Sequence, residues 1–234
     1  MNEKPEARSR AWLAIRDAGA ARFPGVEGRI PNFVGAEAAA ERLASTDAWK
    51  RAKAIKANPD SPQLPVRKRA LEDGKTVYMA VPKLADERPF WRLDPDEIEV
   101  PLHRAASIKG AAQHAVPVGV DAMPHVDLVG CGSVAVERAG ARLGKGAGYS
   151  DLEFAIGVEA GIIDPDTVIA TTVHPCQILE SGAIPLAEHD FGLDLIVTPD
   201  EVIQTRTMIR RPPGVLSDHL QAEKRASIPV LARR

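Results

Sequence analysis

Gly140-Ala141-Arg142-Leu143-Gly144-Lys145-Gly146-Ala147-Gly148-Tyr149-Ser150-Asp151 is a glycine-rich turn set between two regular patterns. Before it lies an apolar run over residues 126–136, and after it a helical pattern over residues 149–160. A strand that passes through a glycine-rich turn into a helix is the repeating unit of an α/β protein, and in open α/β sheets ligands gather at such turns.

Working outward, residues 76–81, 126–129, 167–172, 193–197 and 201–205 read as strands, with Pro82 ending the first of them. Helical patterns fall between several of these runs, at residues 149–160 and 176–179. Apolar strands alternating with helices predict a mainly parallel open sheet with helices on both faces. Asp200-Glu201 between the last two runs predicts a hairpin, so the sheet is mixed. Toward the N-terminus, residues 7–21 and 36–56 read as helices separated by Pro24 and Pro31, and the first 60 or so residues as an N-terminal helical region. Leu43, Trp49, Ala52 and Ile55 would form the buried stripe of the second helix. Residues 66–73 read as a shorter helix stopped by Gly74, and Phe90 and Trp91 as part of a proline-rich loop. No linker-like stretch interrupts the 234 residues, so one domain over 1–234 is expected.

The glycines at 144, 146 and 148 let a ligand approach the backbone closely, and exposed N–H groups leading into a helix start make an anion-binding concavity. Arg142 and Lys145 add fixed positive charge, with arginine suited to forked contact with phosphate oxygens. Asp151 is placed to hold a Mg²⁺ that bridges phosphates. The spacing G-x-x-x-x-G-K-[ST] is absent, and so is the third glycine spacing of a dinucleotide fold. With Arg142, Lys145 and Asp151 around it, the segment reads as a phosphate cradle of another kind, the alternative being a plain glycine-rich turn.

The remaining features are quieter. A formal net charge of −2 exerts no overall pull toward nucleic acid or anionic membranes. Residues 206–234 form a basic C-terminal segment with seven basic residues against Asp218 and Glu223, read as a solvated surface, with contact to phosphate as the alternative. Cys131 and Cys176 have no metal-type spacing and read as buried reduced thiols. No run approaches the length of a membrane span and no signal peptide opens the chain, so a cytoplasmic protein is expected. The six histidines form no H-x-x-x-H pattern. His174-Pro175-Cys176 reads as core. Trp12 and Trp49 read as structural. Trp91 with Phe90 would either stack on a flat ligand or plug the core.

At this point the glycine-rich stretch resembles the signature G-x-R-x-G-x-G-x-G-Y-Y-D of the 5-formyltetrahydrofolate cyclo-ligase (methenyltetrahydrofolate synthetase) family. Lys4 and Arg8 resemble its N-terminal Lys-x-x-x-Arg, which contacts ATP. Asp127-Leu128-Val129 is similar to its strand before the loop. Cys176-Gln177, Ile184-Pro185, His189-Asp190 and residues 194–199 are similar to its downstream run. The resemblance implies the α/β fold and an ATP- and Mg²⁺-dependent ligase. MgATP would phosphorylate the formyl oxygen of 5-formyltetrahydrofolate, N10 would attack the activated carbon, and loss of phosphate would leave 5,10-methenyltetrahydrofolate. It further implies that Lys4, Arg8, Gly140, Arg142, Leu143, Gly144, Lys145, Gly146, Ala147, Gly148 and Tyr149 hold the nucleotide. Arg142, Lys145 and Tyr149 would be catalytic, and Asp151 and Asp190 would hold Mg²⁺.

Two departures stand on the folate side. Ser150 replaces the second tyrosine of the signature, and no glutamate precedes the helix that ends in Ala70-Leu71-Glu72-Asp73-Gly74-Lys75. Asp60 would stand in for that glutamate, with Tyr149, Ser150 and His189 completing the substrate side. The phosphate half is intact and the folate half altered, which resembles the divergent, cyclo-ligase-like branch of the family. The substrate is then 5-formyltetrahydrofolate or a related compound, handled by a monomer or homodimer. The alternative is a nucleotide-binding or regulatory paralogue that keeps the ATP site without the folate reaction.

Overall fold

The computed structural model describes residues 3–232. The last two arginines of the basic segment, Arg233 and Arg234, lie outside the described residues. In chain order the strands are β1 (Ala54–Ala57), β2 (Thr76–Ala80), β3 (Phe90–Leu93), β4 (Val116–Val118), β5 (Leu128–Cys131), β6 (Ala135–Glu137), β7 (Arg142–Leu143), β8 (Val168–Thr172), β9 (Ile178–Leu179), β10 (Leu195–Val197) and β11 (Val202–Gln204). The α-helices are α1 (Lys4–Asp17), α2 (Ala36–Ala44), α3 (Asp47–Arg51), α4 (Leu64–Glu72), α5 (Leu102–Ala105), α6 (Ile108–His114), α7 (Tyr149–Glu159), α8 (Ala222–Ala226) and α9 (Pro229–Ala232).

Eight strands make one sheet in the order β11-β10-β8-β5-β1-β2-β3-β4. The inner pairs, from β10 through β8, β5 and β1 to β2, are parallel, while β11, β3 and β4 join antiparallel at the edges. The mixed, mainly parallel sheet read from the sequence is present, and so is its Asp200-Glu201 hairpin. Strand alternation divides the core in two. Val77 and Met79 of β2 join Ile55, Leu128 and Val197 on one face. Tyr78 and Ala80 join Val129, Ile169 and Ile196 on the other. Both faces are buried, which is why the parallel strands read as continuous apolar runs. No helix among the described residues is long and apolar enough to cross a membrane.

Three local expectations are corrected. Residues 36–56 do not form one helix: α2 ends, Thr46 caps α3 by accepting from the Trp49 N–H at 3.2 Å, and Ala52 turns extended into β1. Pairing with β2 on one side and β5 on the other overrides the helical propensity of this segment. Leu43, Trp49, Ala52 and Ile55 are all buried in one cluster, although they come from three elements. Phe90 and Trp91 belong to β3 rather than a loop; Phe90 is buried, and Trp91 packs on the core away from the site. Residues 176–179 form a 3-10 turn and then β9, because the Gln177 side chain is tied to the Ser133 and Val134 carbonyls and Ile178 pairs with Val136.

A second sheet, β7-β6-β9, holds the site. On it lies α1, whose buried face includes Ala7 and Ala11 against Val134, Ala135, Ala141 and Leu143. Alanines at i and i+4 let the helix approach closely, and the same turns carry Lys4 and Arg8 to the end of β7. There the chain leaves the sheet through Gly144–Gly148 and enters α7.

Candidate active site

A cavity of about 700 Å³ opens at the glycine loop. Lys4 and Arg8 of α1, Asp60, and Arg142, Leu143, Gly144, Lys145, Gly146, Ala147, Gly148, Tyr149, Ser150 and Asp151 line it, together with His189 and Asp190. Lys4 and Asp190, far apart in the chain, are thus brought to one place. Of the residues expected there, Gly140 is the exception. It turns the β6–β7 hairpin, donating to the Glu137 carbonyl at 2.8 Å, and a Cβ there would lie 2.7 Å from the Leu193 carbonyl oxygen. Its role is in the turn and not on the cavity wall.

The cations are held individually. Arg142 is buried; its Nε and Nη2 donate to the Gly132 carbonyl at 3.2 and 2.9 Å and its Nη1 to Asp151 at 3.2 Å. Its guanidinium also lies 4.7 Å from the centre of the Phe191 ring. Arg8 donates from Nε to the Gly144 carbonyl at 2.7 Å. Burial lowers the Arg8 pKa, opposed by Asp151 and Asp190 nearby. Lys145 is exposed and reaches Asp60 at 3.1 Å. Lys4 donates to both Asp190 oxygens, at 2.5 and 2.8 Å, and Asp190 also accepts from the Ala187 N–H at 2.7 Å. His189 faces His219, with 3.2 Å between their Nδ1 atoms.

Sequence reasoning missed the inner wall. Lys56 points to the α7 side of the sheet because its neighbours Ile55 and Ala57 point to the other. There its Nζ meets Glu153 Oε2 at 2.5 Å, and the Asn58 amide donates to the same oxygen at 2.9 Å. Glu153 and Asn58 both line the cavity. Behind them fully buried Arg67 donates to the carbonyls of Asn58 and Ala106; burial lowers its pKa to about 10, so it stays charged at neutral pH. Asn58 Oδ1 and Ser150 Oγ are buried with no hydrogen-bond partner among the described residues. Such orphans are costly unless something fills them. Lys56 could have been found only by recognising β1, and Glu153 only by noticing that α7 carries a carboxylate three residues after Ser150.

His174 and Cys176 do meet, at 2.9 Å between Nδ1 and Sγ, because the 3-10 turn brings i and i+2 together. Burial lowers the His174 pKa and raises that of the Cys176 thiol, the reverse of what an activated nucleophile needs. Trp12 and Trp49 are structural, donating from Nε1 to the Arg29 carbonyl and to Asp73.

The arrangement is an α/β sheet beside a glycine loop ringed by cations. The model of the 5-formyltetrahydrofolate cyclo-ligase family matches residues 2–199, and the chain belongs to that family. It is 38% identical over 231 residues to the methenyltetrahydrofolate synthase domain-containing protein of Mus musculus, covering 97% of this chain and 62% of that protein. The corresponding protein of Bos taurus is 37% identical, with 97% and 60% covered. The chain thus spans about three-fifths of the length of these curated relatives. Among solved structures, Aquifex aeolicus 5,10-methenyltetrahydrofolate synthetase shares the fold with a TM-score of 0.55 at 18% identity, covering 93% of this chain and 99% of that one.

Proposed function

We propose that the chain is an ATP- and Mg²⁺-dependent cyclo-ligase that converts 5-formyltetrahydrofolate, or a related formyl compound, to its cyclised methenyl form. The observation that carries this is the meeting of Lys4, Arg8, Arg142 and Lys145 around one glycine loop in one cavity. Phosphoryl transfer asks little covalent chemistry of a protein; positioning and charge neutralisation supply the rate. Arg142, fixed by three hydrogen bonds, offers a rigid donor to developing charge, while Lys145 is free to follow the phosphate it binds.

Asp151 and Asp190 would hold Mg²⁺, which when bound neutralises phosphate charge. Among the described residues no group of three or more His, Cys, Asp or Glu is arranged to hold a metal. Two hard carboxylates fit an ion held mostly by phosphate oxygens and water. Phosphates that attract Lys4 would release the Asp190 carboxylate. On the substrate side Asp60, Tyr149, Ser150 and His189 would face the ligand, with the orphaned Ser150 and Asn58 oxygens and Glu153 offering acceptors to its polar edge.

Lys145→Ala should weaken ATP binding about tenfold in calorimetric titration, the loss of one charge-assisted phosphate contact. Unchanged affinity would overturn the assignment of the loop as a phosphate cradle.

A further inference from the structure

We propose that Lys224 is a further phosphate-binding residue, delivered to the glycine loop by the C-terminal segment; this rests on the cradle reading above. Lys224 lies on α8, beyond the stretch 2–199 that the family model matches. The segment carrying it is not the solvated tail read from its charge. Ile228 and Leu231 are buried in the same core cluster as Phe154 and Phe191. The Val215 N–H donates to Glu159 of α7 at 2.8 Å, and Arg211 bonds the Thr167 carbonyl at 2.7 Å and Asp194 at 3.0 Å.

These anchors bring the Lys224 ammonium against the loop. It donates to the Ala147 carbonyl and lies 4.7 Å from the centre of the Tyr149 ring. A Cβ on residue 148, which has φ +67°, would sit 2.8 Å from Nζ, the movable end of the lysine. Arg8 stands in the same relation to Gly146, with its Cζ 3.2 Å from the position of a Cβ there. The two cations border different spaces. Arg8 lines the large cavity, Lys224 lines a smaller one of about 270 Å³ between α7 and residues 214–224, and Gly146, Ala147 and Gly148 line both. The loop is therefore flanked by positive charge on each side.

Among the described residues no carboxylate lies within ion-pair distance of Lys224. Burial lowers its pKa, with Asp151 opposing at longer range. A half-buried ammonium held by one carbonyl and the face of one ring has no anion in direct contact, and a lysine stem is flexible enough to move from that carbonyl onto a phosphate oxygen over the loop. The ligand class is the polyphosphate part of a nucleoside triphosphate.

The test is calorimetric titration of the full chain with ATP and with inorganic tripolyphosphate, at two salt concentrations. Lys224→Met is expected to lower affinity for both about tenfold and to make binding less salt-dependent, because a charge contact with phosphate is lost. Lys224→Gln keeps a donor for the Ala147 carbonyl and removes only the charge. It should bind as weakly as Lys224→Met if the charge serves phosphate. Wild-type affinity in Lys224→Gln would overturn the proposal and leave Lys224 as a pin for the loop. If Lys145→Ala is weakened and both Lys224 variants are not, the cradle stands and this inference falls. If the wild-type chain binds neither ligand, both fall together.

Discussion

Lys56→Met should lower the unfolding free energy by about 3–5 kcal/mol, the cost of removing one partner from a buried ion pair. Lys56 is 3% exposed and Glu153 5%, so both charges are largely withdrawn from solvent. With Lys56 gone, the Glu153 carboxylate keeps one donor, the Asn58 amide at 2.9 Å. The double variant Lys56→Met, Glu153→Leu should recover most of the loss, because replacing both charges by apolar groups of similar volume is often neutral. It should nevertheless lose substrate affinity, since the acceptor on the inner wall has gone. Denaturant titrations with matching slopes would measure the coupling between the two sites. A loss below about 1 kcal/mol in the single variant would mean that the pair is open to solvent and is not the built inner wall described above.

That pair also shows where the sequence was readable and where it was not. β2, β5, β8 and β10 announce themselves because parallel strands buried on both faces must be apolar throughout. The glycine loop is legible because its charges and glycines lie in one stretch. β1 is hidden: its sequence Ala54-Ile55-Lys56-Ala57 has a lysine in the middle and follows a run of helix formers. Its identity as a strand comes from neighbours on both sides, which are not local information. With β1 unread, Lys56 had no place and Glu153 no partner. Asp60 was legible, although its contact with Lys145 was not. Lys224 was illegible for another reason. Nothing in a basic segment marks which lysine the anchoring of Ile228 and Leu231 will deliver to the loop.

Arg142→Lys should lower kcat/KM roughly 100-fold while leaving the chain folded, in the range found when one fixed donor to developing charge is removed. Lysine preserves the charge and loses the planar fork. Arg142 uses that fork to bind the Gly132 carbonyl and Asp151 at once while stacking on Phe191, which itself stacks on Phe154 with 4.2 Å between ring centres. A lysine can meet only part of this set, so the donor moves away from the transferred group. Steady-state kinetics with ATP varied, beside a melting curve, separates catalysis from folding. A change of less than about threefold would mean that Arg142 only braces the loop.

Phosphates bound on the glycine loop would activate a formyl group held beside it. The most direct measurement incubates the purified chain with MgATP and 5-formyltetrahydrofolate and follows the methenyl chromophore together with ADP. Both products are expected in equal amounts, with neither formed when ATP is omitted. Clear ATP binding without chromophore or ADP would contradict this, and would leave a nucleotide-binding protein that has kept the cradle and not the reaction.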